Sequence, residues 1–378
     1  MEKRFLSWIS LVLLVFSACS PRSEQPRWKG RLYLDNGISV VENPAKPVYG
    51  HVNLNLEEEL SIGNDETQPD AIFKQISGLA VDREGNIYIS DPRAVAIKVF
   101  DDSGHYLRMI GRPGEGPGEY QSPRIIYLSP DGQTLHVMDF NFRLLFYRTE
   151  GTYLGQATLR SPIRDFIIDA GNKLWGIVSV LDEEGERRAL EKIEIDGKVL
   201  LQIIKVPYQV SRKIEADATI RITTGYEEDL FMAALKGKNL AYGYSGEYKL
   251  TIIETDGQPR LIIKNQGARR LIPPEEASKI AEYLKSKYQP HFFGIFTDDL
   301  DRMWVLRDNP LSVKGRAARY DIYSQDGYFI YTTSLPYARL LVLKNGKLYA
   351  RHVEEETGIH MVKRYRIKNW NLLKTSLD

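Results

Sequence analysis

Residues 76–111 read ISGLAVDREGNIYISDPRAVAIKVFDDSGHYLRMIG, and this stretch decides the fold. Its four apolar runs, 78–81, 87–89, 96–100 and 106–110, are each too short for a helix. Between them stand DREGN at 82–86, DPR at 91–93 and DDSG at 101–104. Gly, Asn and Asp supply the positive φ angles and side-chain-to-backbone bonds that tight reversals need. The stretch therefore predicts four antiparallel strands in one small twisted sheet. Such a sheet cannot bury both faces alone, so it requires copies of itself stacked alongside.

Degraded copies follow. A glycine marks the last reversal at Gly104, Gly151, Gly197, Gly257 and Gly327, and the first two intervals are 47 and 46 residues. That period suits a four-stranded propeller blade of roughly 40–50 residues. The first reversal recurs as Asp131-Gly132, Gly171-Asn172, Gly237, Asp299 to Asp301 and Asn345-Gly346. Six blades result, with cores at 77–111, 124–159, 163–204, 229–264, 292–333 and 338–367. The sixth holds only three strands, and an open edge would leave backbone groups unpaired. The alternating segment 52–62, VNLNLEEELSI, is expected to supply the missing outer strand and close the ring. The expected fold is all-β, a six-bladed β-propeller of four-stranded antiparallel blades with one inserted helix. That helix is placed after Pro273-Pro274-Glu275-Glu276, where Ala277, Ile280, Ala281, Leu284 and Tyr288 fall at helical spacing.

Residues 1–18 begin with Lys3 and Arg4, continue through an apolar run and end in Ser17-Ala18 before Cys19, the chain's only cysteine. No internal disulfide is therefore available. The segment resembles the bacterial lipoprotein signal, apart from Phe16 where that signal usually has Leu. The resemblance implies lipidation of Cys19 and a membrane anchor, and Ser20 after the cysteine implies outer-membrane sorting in a diderm cell. The expected plan is a signal at 1–18, a proline-bearing tether at 19–50 with room for one short strand at 31–41, the propeller at 51–369 and a C-terminal tail at 370–378. The 51 basic and 50 acidic residues nearly cancel, which excludes nucleic acid as an expected partner.

The turns expected on one face of the disc are uniformly tight. The long connections, 64–75, 112–123, 181–187, 205–228, 265–291 and 308–316, all fall on the other. Irregular loops on a regular scaffold locate the expected working surface there. One of them, RPGEGPGEY at 112–120, is no phosphate loop: it lacks the Lys-Ser/Thr ending, and Pro113 and Pro117 remove N–H donors. Blade one followed by IGRPGEGPGEY resembles the NHL-type six-bladed propellers, in particular the bacterial lipoprotein-associated six-bladed family. That resemblance implies the fold and an envelope location, and no specific activity.

The six histidines show no metal-binding spacing, and no Gly-x-Ser-x-Gly elbow occurs. Just before the inner strands stand Lys74, Arg124, Arg164, Asp165, Glu228, Asp229, His291 and Arg339. A collar this basic disfavours the axial divalent cation of lactonase-like propeller enzymes, since hard cations prefer oxygen ligands. It suits instead an anionic ligand, unless each cation pairs with a neighbouring acid. Aromatic residues near strand ends, among them Tyr120, Tyr127, Tyr226 and Tyr244, offer a platform for glycan or peptide, or pack between blades. The expectation is a ligand- or protein-binding module, its partner an anionic small molecule, a glycan or a protein, with no cofactor. A hydrolase or lyase of the lactonase-like group and a structural platform in an envelope complex are the alternatives.

Overall fold

The computed structural model describes residues 27–377 apart from 66, 210, 216, 217, 223, 237, 238, 312–316, 338 and 339. The signal, Cys19 and Arg339 lie outside the described residues. Blade one comprises Gly78–Val81, Ile87–Asp91, Ala96–Phe100 and Tyr106–Met109. Blade two comprises Ile125–Leu128, Thr134–Met138, Arg143–Arg148 and Tyr153–Thr158. Blade three follows with Ile163–Ile168, Leu174–Asp182, Gly185–Ile193 and Val199–Pro207. Blade four has Leu230–Ala234, Leu240–Tyr244, Lys249–Ile253 and Pro259–Asn265. Blade five has Gly294–Thr297, Met303–Leu306, Ala318–Tyr323 and Phe329–Leu335. Blade six takes Leu341–Lys344, Lys347–Val353 and His360–Ile367 from the C-terminal end and Leu56–Ile62 from the N-terminal end.

The borrowed strand runs antiparallel to its neighbour, with Leu56 opposite Ile367 and Ile62 opposite Val362. Ring closure by the 52–62 segment is thus as the alternation foretold. Blades cohere through apolar layers rather than through the sheets themselves. Between blades one and two, for instance, Tyr88, Ile97 and Val99 meet Leu135, Val137 and Tyr147, all fully buried. The turns repeat one device, an aspartate that accepts nearby backbone N–H groups. Asp82 takes the Asn86 N–H at 2.8 Å, Asp169 those of Gly171 and Lys173, and Asp298 those of Leu300 and Arg302.

Two expectations, the tether and the length of the helix, are corrected, and the tail is filled in. The tether gives way within 19–50 to a docked strap. Arg31–Asp35 and Ile38–Asn43 form a hairpin through Asn36 and Gly37, both at positive φ, and the second strand pairs in parallel with the outer strand of blade four. Val40 and Val41 on that strand are buried, which the proline content nearby obscured. Residues 48–52 then bond along the outer strand of blade five before the chain enters blade six. The C-terminal tail is likewise packed: Trp370 stacks 6.5 Å from Trp304, and the Leu373 carbonyl accepts from Arg302. Finally, the helix spans only Pro274–Lys279 and buries none of its residues, so its apolar spacing meets no core that would prolong it.

Tight reversals between first and second strands occupy one face, as do those between third and fourth. The opposite face carries the interblade links and the second-to-third connections. On it lie a hairpin, Ser211–Glu215 with Ala218–Ile222, and the short helix.

Candidate functional site

The link after blade one shows how the loop-rich face is held. Tyr120 is fully buried; its hydroxyl donates to the Ile110 carbonyl at 2.7 Å and accepts the Ile97 N–H at 3.1 Å. Glu119 accepts from Gly116 N–H and pairs with Arg112 at 2.8 Å. The glycine-rich loop therefore staples itself to the blade. In blades one and two an aspartate at or just after the end of the second strand holds the segment that leads into the same blade's first strand. Asp91 accepts the Lys74 and Gln75 N–H groups, and Asp139 those of Gln121 and Ser122.

Of the eight collar residues, the structure gathers five on blades three to five. Asp229, 5% exposed, lies 3.3 Å from Arg164 and 3.4 Å from Arg188. Burial raises the Asp229 carboxyl above the ordinary carboxylate value while the two guanidiniums pull it down. Arg164 also donates to the Leu230 carbonyl and sits over the Phe231 ring, so it is a paired cation. Asp165 beside it is pushed up to about 6 by burial, with Arg164 opposing. Glu228 accepts from the Tyr244 hydroxyl at 2.7 Å and pairs with Arg269 at 2.7 Å. His291 packs 5.6 Å from Tyr248 and is held down to about 4 by burial and by Arg307 and Arg269. It is therefore neutral at neutral pH, which corrects its place among the cations. Lys74 and Arg124 are exposed on blades one and two, and among the described residues no ion pair joins them to this group.

Two links rise over blade four and enclose a cleft of about 210 Å³. Tyr226, Tyr244, Arg269, Tyr283 and Lys285 line it, together with Glu227 and Glu228. The Tyr226 hydroxyl donates to Glu276, tying the 207–228 link to the helix of the 266–293 link. Glu227 is consumed by the Thr224 and Gly225 N–H groups, so neither acid of the cleft is unpartnered.

A larger cavity, about 660 Å³, opens on the tight-turn face and is lined by all six blades. Its charged groups seal neighbouring blades: Arg83 donates to the Pro130 carbonyl, Lys344 to Val81, and Asp299 accepts the Asn345 N–H. Those contacts make it the open end of the axial well. Tyr127 lines this well, which corrects its expected place in the loop-side aromatic platform. Trp175 and Trp304 are core residues, as their second-strand positions imply. Among the described residues no group of three or more His, Cys, Asp or Glu is placed to hold a metal ion.

Sequence reasoning missed Arg188, Arg269, Arg270, Arg307 and Arg319. Arg269 and Arg270 form a doublet before the helix, and Arg307 and Arg319 bracket the longest second-to-third connection; both patterns were available as signals. Only folding brings Arg188 to Asp229, Arg269 to Glu228, and Arg270, Arg307 and Arg319 to one cavity.

Residues 64–223 match the model of a family described as 6-bladed beta-propeller. Among curated proteins none matches. A Bacteroides fragilis protein described as exported is similar in structure, with TM-score 0.54 and 13% identity over 86% of this chain and 100% of that one. A member of the duf4221 family from Bacteroides vulgatus aligns at TM-score 0.48 and 13% identity over 83% and 98%. Virginiamycin B lyase from Staphylococcus aureus aligns at TM-score 0.41 and 14% identity over 85% and 90%. Of these the Bacteroides fragilis protein bears on the fold, and at 13% identity on the fold alone. The chain is an all-β six-bladed propeller, similar over 64–223 to the 6-bladed beta-propeller family.

Proposed function

We propose that this chain is a binding module of a bacterial cell envelope, held on the membrane by acylation of Cys19, and that its loop-rich face takes an acidic glycan. The cleft over blade four carries this reading. Tyr244 and Tyr283, both partly exposed, offer flat rings that bury sugar faces at low entropic cost, and Arg269 and Lys285 supply donors for an acid group. Its own carboxylates are already satisfied by Tyr244, Arg269 and backbone N–H groups, so they do not repel a second acid as strongly as free ones would. The anchor rests on the lipoprotein-like leader.

The test is an array of acidic and neutral glycans probed with the full chain in detergent. Retention of an acidic glycan, lost in Arg269→Gln and Lys285→Ala, supports the reading. No retention, or retention indifferent to both changes, contradicts it. Cys19→Ala should move the protein from the membrane to the soluble fraction.

A further inference from the structure

We infer that a second site, a niche for one oxyanion group, lies beside the cleft at the loop-side end of the interface between blades four and five. This rests on the loop-rich face being the working face, and it concerns residues that the cleft does not use. Arg269 lines the cleft, and the next residue, Arg270, lines a separate cavity of about 200 Å³. The other walls of that cavity are Arg307, Arg319, Asp321, His51 and the backbone stretch 332–334.

Three guanidiniums converge here on two carboxylates. Asp308, 4% exposed, is shared: Arg270 approaches it at 3.1 Å and Arg319 at 2.7 Å. Asp321 is bonded by Arg307 and by the Tyr248 hydroxyl. One positive charge is left over among the described groups. The donors are not exhausted either, because the Nη2 group of Arg270 is buried and bonds no acceptor. An incoming oxyanion meets the guanidiniums that line the cavity, Arg270, Arg307 and Arg319, and offsets their surplus charge.

The arrangement is fixed rather than loose. Arg307 stacks 4.5 Å over Tyr248 and donates to the His291 carbonyl at 2.7 Å. The Asp308 carboxylate also accepts the Arg319 N–H at 2.8 Å, which sets the pair's separation. Thr332 bonds His51 of the N-terminal strap at 3.2 Å, so the strap forms one wall. Arg319 remains about half exposed, giving access from solvent.

Size limits the occupant. Whole small-molecule pockets run to roughly 300–1,000 Å³, and this one is smaller. It accommodates a carboxylate, phosphate or sulfate, either as a free anion or as the acid group of a larger ligand whose remainder projects past Arg319. Guanidinium forks match these planar or tetrahedral oxyanions and discriminate against neutral hydroxyls.

The test is calorimetric titration of the full chain in detergent with sodium phosphate, sodium sulfate and sodium glucuronate in turn. At least one probe should bind saturably, at one per chain, and weaken as salt is added. Arg270→Gln and Arg319→Gln should each weaken it roughly tenfold or more, the usual effect of losing a charged donor. Binding of phosphate or sulfate assigns a free inorganic anion, and binding of glucuronate alone assigns the acid group of a sugar. The half-exposed Arg319 keeps the test valid if Arg270→Gln perturbs folding, and circular dichroism monitors both. Absence of saturable binding by all three probes, or binding unchanged in Arg319→Gln, overturns the niche. Lys285→Ala separates the two sites: it should spare anion binding here while impairing glycan retention in the cleft.

Discussion

The side-chain amide of Asn43 donates to the Gly327 carbonyl at 2.8 Å, and its carbonyl oxygen accepts the Phe329 N–H at 2.8 Å. Asn43 is fully buried and also takes the Trp28 indole N–H at 3.1 Å. One side chain thus pins the strap, itself paired with blade four, to the last turn of blade five. Asn43→Ala leaves the Gly327 carbonyl and Phe329 N–H without that partner. It should cost about 2–3 kcal/mol, read as a lower urea midpoint at unchanged slope.

Ring closure depends on the borrowed strand. Ile62 is 3% exposed in the layer between blades six and one. Ile62→Ala should lose about 2–5 kcal/mol of stability in the same assay. Deleting 50–63 should expose the edge of blade six and yield aggregates on size exclusion.

The loop after blade one is a structural staple. Tyr120→Phe removes the hydroxyl that bridges Ile97 and Ile110 in a dry setting, and should destabilise by about 1–3 kcal/mol in thermal melts. No change in ligand binding should accompany it.

Blade number, blade limits and ring closure were legible because each reversal carries its own Asp, Asn or Gly chemistry. Asp82, Asp101, Asp169 and Asp298 all accept the backbone N–H groups of their turns. The strap was less legible: Asn36-Gly37 announces a hairpin, but its docking on blade four depends on where Leu261 and Ile263 expose an edge 220 residues later. The collar was legible only as a list of side chains before inner strands. Whether a cation there is free or paired is a matter of tertiary distance, and Arg164 and Asp229 find one another across blades. His291 reads as a cation in sequence and is neutral once burial, with Arg307 and Arg269 beside it, disfavours its charged form.

Acid should weaken the fold with a definite sign. His136 and His291 are both lowered from 6.5 to about 4, chiefly by burial. Between those values the unfolded chain binds protons that the folded chain refuses, so stability falls as pH drops from about 6.5 towards about 4. Asp165, raised from 3.8 to about 6, acts oppositely, holding a proton in the fold that the unfolded chain releases. His352 and His360 are also lowered by burial and act with them, whereas Asp229 and Glu191 are raised by burial and act with Asp165, so four histidines stand against three acids. The melting temperature should fall across this window, and more steeply in Asp165→Asn, which removes one of the opposing groups.

The central claim is that the loop-rich face, above all the two links over blade four, is where ligand binds. Hydrogen–deuterium exchange of the full chain, with and without an acidic glycan that it retains, tests this directly. Slowed exchange confined to 207–228 and 266–293 is the predicted result. Slowed exchange in the tight turns at 82–86, 129–133, 169–173 and 298–302, with those links unchanged, would contradict it and move the binding site to the axial well.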